Sequence, residues 1–100
     1  MMLRDVARKS VVGNPIRLSI LIYLLPRRRA LFKELLNAIE ITPGNLDSHL
    51  KTLEKNGLVR IGKVLLDRPR TAVWITDRGV KETREYIKLL REHMEGNVKY

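Results

Sequence analysis

A mainly helical chain carrying one small β-sheet is what the sequence predicts, and three observations predict it. Apolar residues recur at helical spacing from Ile16 to Leu53. The period becomes that of extended chain between Leu58 and Ile75, and after Thr76 apolar residues return three and four apart over a long run. A chain of 100 residues makes one domain of this α+β kind, residues 1–100, with a modest core.

Taken in order, Leu3, Val6 and Ala7 allow a short helix somewhere between Met1 and Val12. Asn14 and Pro15 pair as N-cap and first helical residue, and the helix they start should stop at about Leu25, before Pro26. Ile16, Leu18, Ile20, Leu21, Ile22, Leu24 and Leu25 leave it almost no polar side, so it is expected to be buried all round. That is hard to arrange within one small domain and points to a second copy of the chain covering one flank. Arg27, Arg28 and Arg29 make a basic turn, either a solvated loop or a contact surface, and Arg29 to Leu31 could add a small third strand. Phe32, Leu35, Leu36 and Ile39 mark a second short helix.

The next helix, about residues 43–56, has the clearest punctuation. Thr42 can cap it, Pro43 takes the first helical position, and Gly57 supplies the left-handed residue beyond its end. Leu46, Leu50 and Leu53 form one narrow apolar stripe. At about 100° per residue, Gly44, Ser48, Lys51 and Lys55 point the other way, with Asn45 and Thr52 beside them. Such a face is either ordinary solvated surface or a binding surface. Two short helices joined by a tight link, the second carrying polar residues outward, is helix-turn-helix geometry.

Residues 58–75 then read as a hairpin. Leu58, Val59, Ile61, Val64, Leu65 and Leu66 suggest one strand, and Thr71 to Ile75 its partner. Asp67-Arg68-Pro69-Arg70 is turn chemistry with two guanidinium groups at the tip, and Trp74 is expected in the core. Thr76 caps a last helix over about 77–95, along which Val80, Thr83, Ile87, Leu90 and Met94 form a heptad-like seam. That seam packs either against a second copy or onto the chain's own core.

Charge narrows the function. The net charge is +9, and residues 1–70 hold 14 Lys/Arg against 6 Asp/Glu while residues 71–100 hold 6 against 5. A basic body with a near-neutral tail is the asymmetry of a nucleic-acid binder. With no cysteine, a disulfide framework, a thiol nucleophile and a Cys-based zinc site are all excluded. The longest apolar run, Ile20 to Leu25, is far too short to span a membrane, and nothing at the N-terminus resembles a cleaved signal, so a cytoplasmic location is expected. His49 and His93 are far apart without matched carboxylates, and no Gly-rich phosphate loop is present, so the chain is read as no enzyme, with no cofactor and no metal.

In combination these residues resemble the winged helix-turn-helix transcriptional regulators, above all the small archaeal and bacterial MarR/ArsR type. Asn14 to Leu21 is similar to the family's opening "NPxRxxIL" helix, and Phe32-Lys33-Glu34-Leu35 to the start of its second. Thr42 to Val59 is similar to its recognition helix, and Arg68 to Thr71 with Trp74 to Gly79 to its wing and "LTxxG" exit. The resemblance covers about four fifths of the chain. It implies a homodimer on double-stranded DNA at an inverted-repeat site, with the recognition helix in the major groove and the basic wing on the backbone or minor groove.

Carried over by residue, Gly44, Asn45, Ser48, Lys51 and Thr52 would face the groove and Arg68 and Arg70 would serve the wing. Lys55 and Lys63 add phosphate-neutralising charge. Ile16 and Ile20, with Val80, Thr83, Ile87, Leu90 and Met94, are the expected dimer surface. His49 sits where the ArsR-like pattern "SxHL" has its histidine, and is read as a packed structural residue. Asp47 departs from that pattern; it either accepts from a cytosine or pairs with Lys51. Two rival uses of the fold stay open, a protein-interaction module and a non-specific architectural DNA binder. RNA binding is disfavoured because the few aromatics make no stacking platform. With no second domain, a small-molecule effector would have only the space between copies or a small pocket in the domain.

Overall fold

The computed structural model describes residues 10–96, so most of the expected N-terminal helix lies outside the described residues. The order is α1 (Ser10–Gly13), α2 (Pro15–Arg27), β1 (Arg29–Leu31), α3 (Phe32–Ile39), α4 (Pro43–Lys55), β2 (Val59–Leu65), β3 (Pro69–Ile75) and α5 (Asp77–Gly96). The strands form one antiparallel sheet in the order β1-β3-β2. This is the winged helix fold, mostly helical with a small three-stranded sheet and a long last helix.

Helix α2 is the centre. Asn14 Oδ1 accepts from the Ile16 and Arg17 N–H groups at 3.0 and 3.1 Å, and Pro15 contributes no orphan donor. Pro26 does not stop this helix, which runs on to Arg27. Pro26 shares the exposed face of the last turn with Ile22, the residue whose carbonyl it deprives of a partner. The stop comes at Arg28: its N–H still donates to the Leu24 carbonyl at 2.6 Å, and its left-handed φ of +72° then turns the chain out of the helix.

The apolar girth of α2 is buried mostly within the one chain, because α1, α3, α4, α5, β1 and β3 all pack on it. Ile20, Leu21 and Leu24 are fully withdrawn, each such side chain contributing about 2 kcal/mol of hydrophobic stabilisation. Only the Ile22 flank, 46% exposed, is left open.

Three of the residues expected to face a second copy therefore sit in this chain's own interior. Ile20 and Thr83 have no exposed surface and Val80 almost none, so they have nothing to offer a partner. A heptad spacing says that one face of α5 is covered without saying by what. The first half of the seam packs on the domain, where Tyr86 is buried as well, while Ile87 and Leu90 are half-covered and Met94 is 64% exposed. Ile16 is half-buried against the core.

Helix α4 begins where Thr42 Oγ1 accepts from the Asn45 N–H at 3.2 Å. It ends in a Schellman turn: Gly57 at φ +75° donates to the Glu54 carbonyl and Leu58 donates to the Leu53 carbonyl, at 2.9 and 3.0 Å. Leu53 and Leu58, the apolar pair that such a turn brings together, are both buried. Thr76 then ties this turn to α5. Its Oγ1 accepts from the Gly79 N–H at 2.9 Å and donates to the Gly57 carbonyl at 2.7 Å, while its own N–H donates to the Leu58 carbonyl at 3.0 Å. The Glu54 carboxylate accepts from the Ile61 N–H at 3.0 Å, fixing the root of the β2–β3 ribbon against the helix.

Trp74 is not in the core. It stands half-exposed on the outer face of the sheet, in register with Arg29 on β1 and Arg60 on β2. Strand alternation decides this, since Val73 and Ile75 take the inner face and are buried. The Arg60 guanidinium lies 4.9 Å from the indole centroid, a cation–π contact.

Candidate nucleic-acid interface

Burying Leu46, Leu50 and Leu53 turns the opposite side of α4 outward. Gly44, Asn45, Ser48, Lys51 and Lys55 are exposed there and Thr52 is half-buried. Space around Gly44 is open, with nothing within 4 Å of where a Cβ would stand. The Thr52 hydroxyl donates to the Ser48 carbonyl at 3.2 Å, so it is partly engaged by its own helix. Asp47, the residue that departed from the resemblance, pairs with Lys51 at 3.1 Å one turn on. The face is therefore polar, with Lys55 at its end and Lys51 shared with a carboxylate.

His49 is half-buried, as its structural reading requires. The Arg17 Nη1 donates to its Nδ1 at 3.2 Å while Arg17 Nε donates to the Val11 carbonyl at 2.8 Å. A guanidinium can only donate, so in this contact His49 Nδ1 is the acceptor. Among the described residues no group of three metal-ligating side chains converges.

On the ribbon, Lys63 Nζ donates to Thr71 Oγ1 at 2.8 Å and Arg68 is exposed at the tip. Arg70 is paired within the turn. Its Nε and Nη2 clamp the Asp67 oxygens at 3.2 and 2.9 Å. That pairing holds the Asp67 carboxyl below its ordinary value. The clamp is thus fully in place above the ordinary aspartate value and is lost only as pH falls through the lowered one. An Asp three residues before an Arg in a turn is the signal for this pair in the sequence.

The basic turn disperses rather than forming one patch. Arg27 stacks on Tyr23 at 3.8 Å and donates to the Tyr23 carbonyl, Arg28 makes the left-handed cap, and Arg29 joins the sheet. The Tyr23 hydroxyl donates to Glu34 at 2.6 Å, a bond that raises its pKa above the ordinary value.

An exposed polar helix after a tight turn, beside a cationic two-stranded ribbon, defines a class of nucleic-acid binder. The chain belongs to the winged helix DNA-binding domain family, whose profile matches residues 16–94. It is similar to a transcriptional regulator homologue from Pyrococcus horikoshii OT3, with 45% identity, 97% of each chain covered and a TM-score of 0.92. A structure described as a MarR-family transcriptional regulator from Enterococcus faecalis V583 shares the fold at 21% identity and TM-score 0.78, over 97% of this chain and 89% of that one. The protein MJ0432 of Methanocaldococcus jannaschii is 33% identical over 78 residues, 77% of this chain and 85% of its own length. The fold is that of DNA-binding transcriptional regulators rather than of enzymes. Among the described residues no helix is long and apolar enough to cross a membrane.

Opening the Asp67–Arg70 clamp should strengthen duplex binding. The Asp67→Asn variant frees one guanidinium, so the slope of log affinity against log salt should steepen by roughly 0.9, the share of one phosphate contact. Titrations at several salt concentrations measure it; an unchanged slope would mean that Arg70 already leaves Asp67 when DNA binds.

Proposed function

We propose that the protein is a homodimeric transcriptional regulator, acting in the cytoplasm, that binds a specific inverted-repeat site in double-stranded DNA. Helix α4 enters the major groove and the β2–β3 ribbon lies on the backbone or minor groove. The observation that carries this reading is the outward face of α4. Gly44, Asn45, Ser48, Lys51 and Lys55 are exposed there, and no apolar or aromatic side chain stands among them. A protein-docking surface would need such anchors, whereas a groove reader needs small polar groups and cations.

Within this reading Asn45 pairs with adenine, Ser48 hydrogen-bonds a base edge, and Lys55, Lys63 and Arg68 neutralise phosphates. Asp47 holds Lys51 in place over the groove. The second copy meets Ile87, Leu90 and Met94 on α5, together with Ile16; Met94, 64% exposed, is a large apolar side chain that a partner would cover.

Selection of bound duplexes from a random library at two salt concentrations tests this. The expected product is an inverted repeat with half-sites about 10 bp apart. Replacing Asn45 or Ser48 by alanine should relax preference at one position of each half-site, by about 1–3 kcal/mol. Arg68→Ala should weaken all duplexes alike. Sequence-independent recovery with a steep salt dependence would replace this reading with an architectural, DNA-coating one.

A further inference from the structure

The tip of the β2–β3 ribbon carries two large apolar side chains that the fold does not use. Leu65 is 79% exposed and Leu66 is 55% exposed, at the end of β2 and in the turn after it. They are the largest adjacent apolar exposure among the described residues. Their surroundings are cationic. Lys63 and Arg68 stand on either side, and the nearby carboxylate, Asp67, is cancelled by the Arg70 clamp. The tip is thus two leucines with Arg68 as its unpaired charge among the described residues.

Apolar side chains ringed by cations suit a partner that is anionic outside and apolar within. Duplex DNA has that construction, with phosphates along the groove walls and stacked bases between them. Dimensions decide how such a tip can enter. Two paired strands are about 4.8 Å apart before their side chains are counted, and the minor groove of B-DNA is about 6 Å wide. The ribbon cannot lie inside it; only the tip can enter, and two leucines fit only where the groove opens and a base step unstacks.

Resting on the DNA-binding reading above, we propose that Leu65 and Leu66 form a wedge that enters the minor groove, unstacks one base step and bends the duplex. Arg68 holds the adjoining phosphate. The Asp67–Arg70 clamp keeps a bare carboxylate from meeting the backbone at that point. The wedge adds a second source of sequence preference beside α4. It favours steps that unstack easily, pyrimidine–purine steps above all, at positions flanking those read by hydrogen bonds.

The test uses a duplex enriched by the selection, labelled at both ends for energy transfer, with 2-aminopurine at the flanking step. Wild-type protein should shorten the end-to-end distance and raise 2-aminopurine fluorescence. The Leu65→Ser/Leu66→Ser variant should keep the preference set by α4, lose both signals, and bind roughly tenfold more weakly, the scale of one mismatched base pair. Both side chains are exposed, so its thermal midpoint should match the wild type. The Leu65→Ser/Leu66→Lys variant, which adds a phosphate-binding charge, should recover affinity while the loss of bending persists. A serine variant that bends and unstacks like wild type overturns the wedge, as does wild type that binds while leaving the duplex straight; the tip would then be a contact for a protein with an acidic-rimmed apolar site. A wild type that binds no duplex overturns the DNA reading itself, so the two failures are distinct.

Discussion

Gly79→Ala should lower the thermal midpoint by roughly 12–24 °C, the shift that a loss of about 3 kcal/mol produces in a domain of this size. The reason is space. A Cβ at residue 79 would overlap the Leu58 carbonyl oxygen and stand 2.7 Å from Ile75 Cγ1. That carbonyl cannot yield cheaply, because it is backbone and accepts the Thr76 N–H at 3.0 Å. Relief would have to separate α5 from the turn that ends α4, undoing the Thr76 hydrogen bonds in the process. The same substitution at Gly44, where the surroundings are empty, should leave the midpoint unchanged or slightly raised while weakening DNA binding. Circular dichroism melts of the two variants make the comparison. Equal midpoints would show that the α4–α5 junction is looser than its hydrogen bonds indicate.

Leu50→Ala should cost about 2.7–5 kcal/mol, the range for a leucine cut back inside a packed core. Leu50 lies midway along the buried stripe of α4, between Leu46 and Leu53, and none of the three is measurably exposed to solvent beyond 1%. Urea unfolding should show a lower midpoint with an unchanged slope. At temperatures where the variant is still folded, its base preference should survive, because Asn45 and Ser48 on the far face are untouched. A midpoint within experimental error of the wild type would mean that α4 is held by its caps and the Glu54–Ile61 bond rather than by this stripe.

Much of the architecture was legible because it rests on local chemistry. Thr42, Pro43 and Gly57 each have a backbone role that few other residues fill, and each occupies it. The change from helical to alternating period at Leu58 falls one residue from the start of β2. Pro26 misled because a proline stops a helix only where the freed carbonyl and the ring have nowhere to go, and at an exposed last turn both do. Ile20, Val80 and Thr83 misled for another reason: spacing identifies a covered face, and the covering surface here is the chain's own. The alternation of Val73, Trp74 and Ile75 is the signal that places Trp74 on the outer face. The outward residues of α4 followed directly from the 100° turn. The charge pairs did not, because Arg70 choosing Asp67, and Lys51 choosing Asp47, depend on rotamers that no periodicity encodes.

Arg17 joins two parts of the chain that are far apart in sequence. One guanidinium holds the Val11 carbonyl in α1 and the His49 ring in α4, through hydrogen bonds of 2.8 and 3.2 Å. Such bonds weaken steeply when stretched or tilted. His49 stands one turn from Asn45 on the same helix. Arg17 is therefore a polar tie between α1 and the helix that carries Asn45, added to the packing of α1 on α2 and α5.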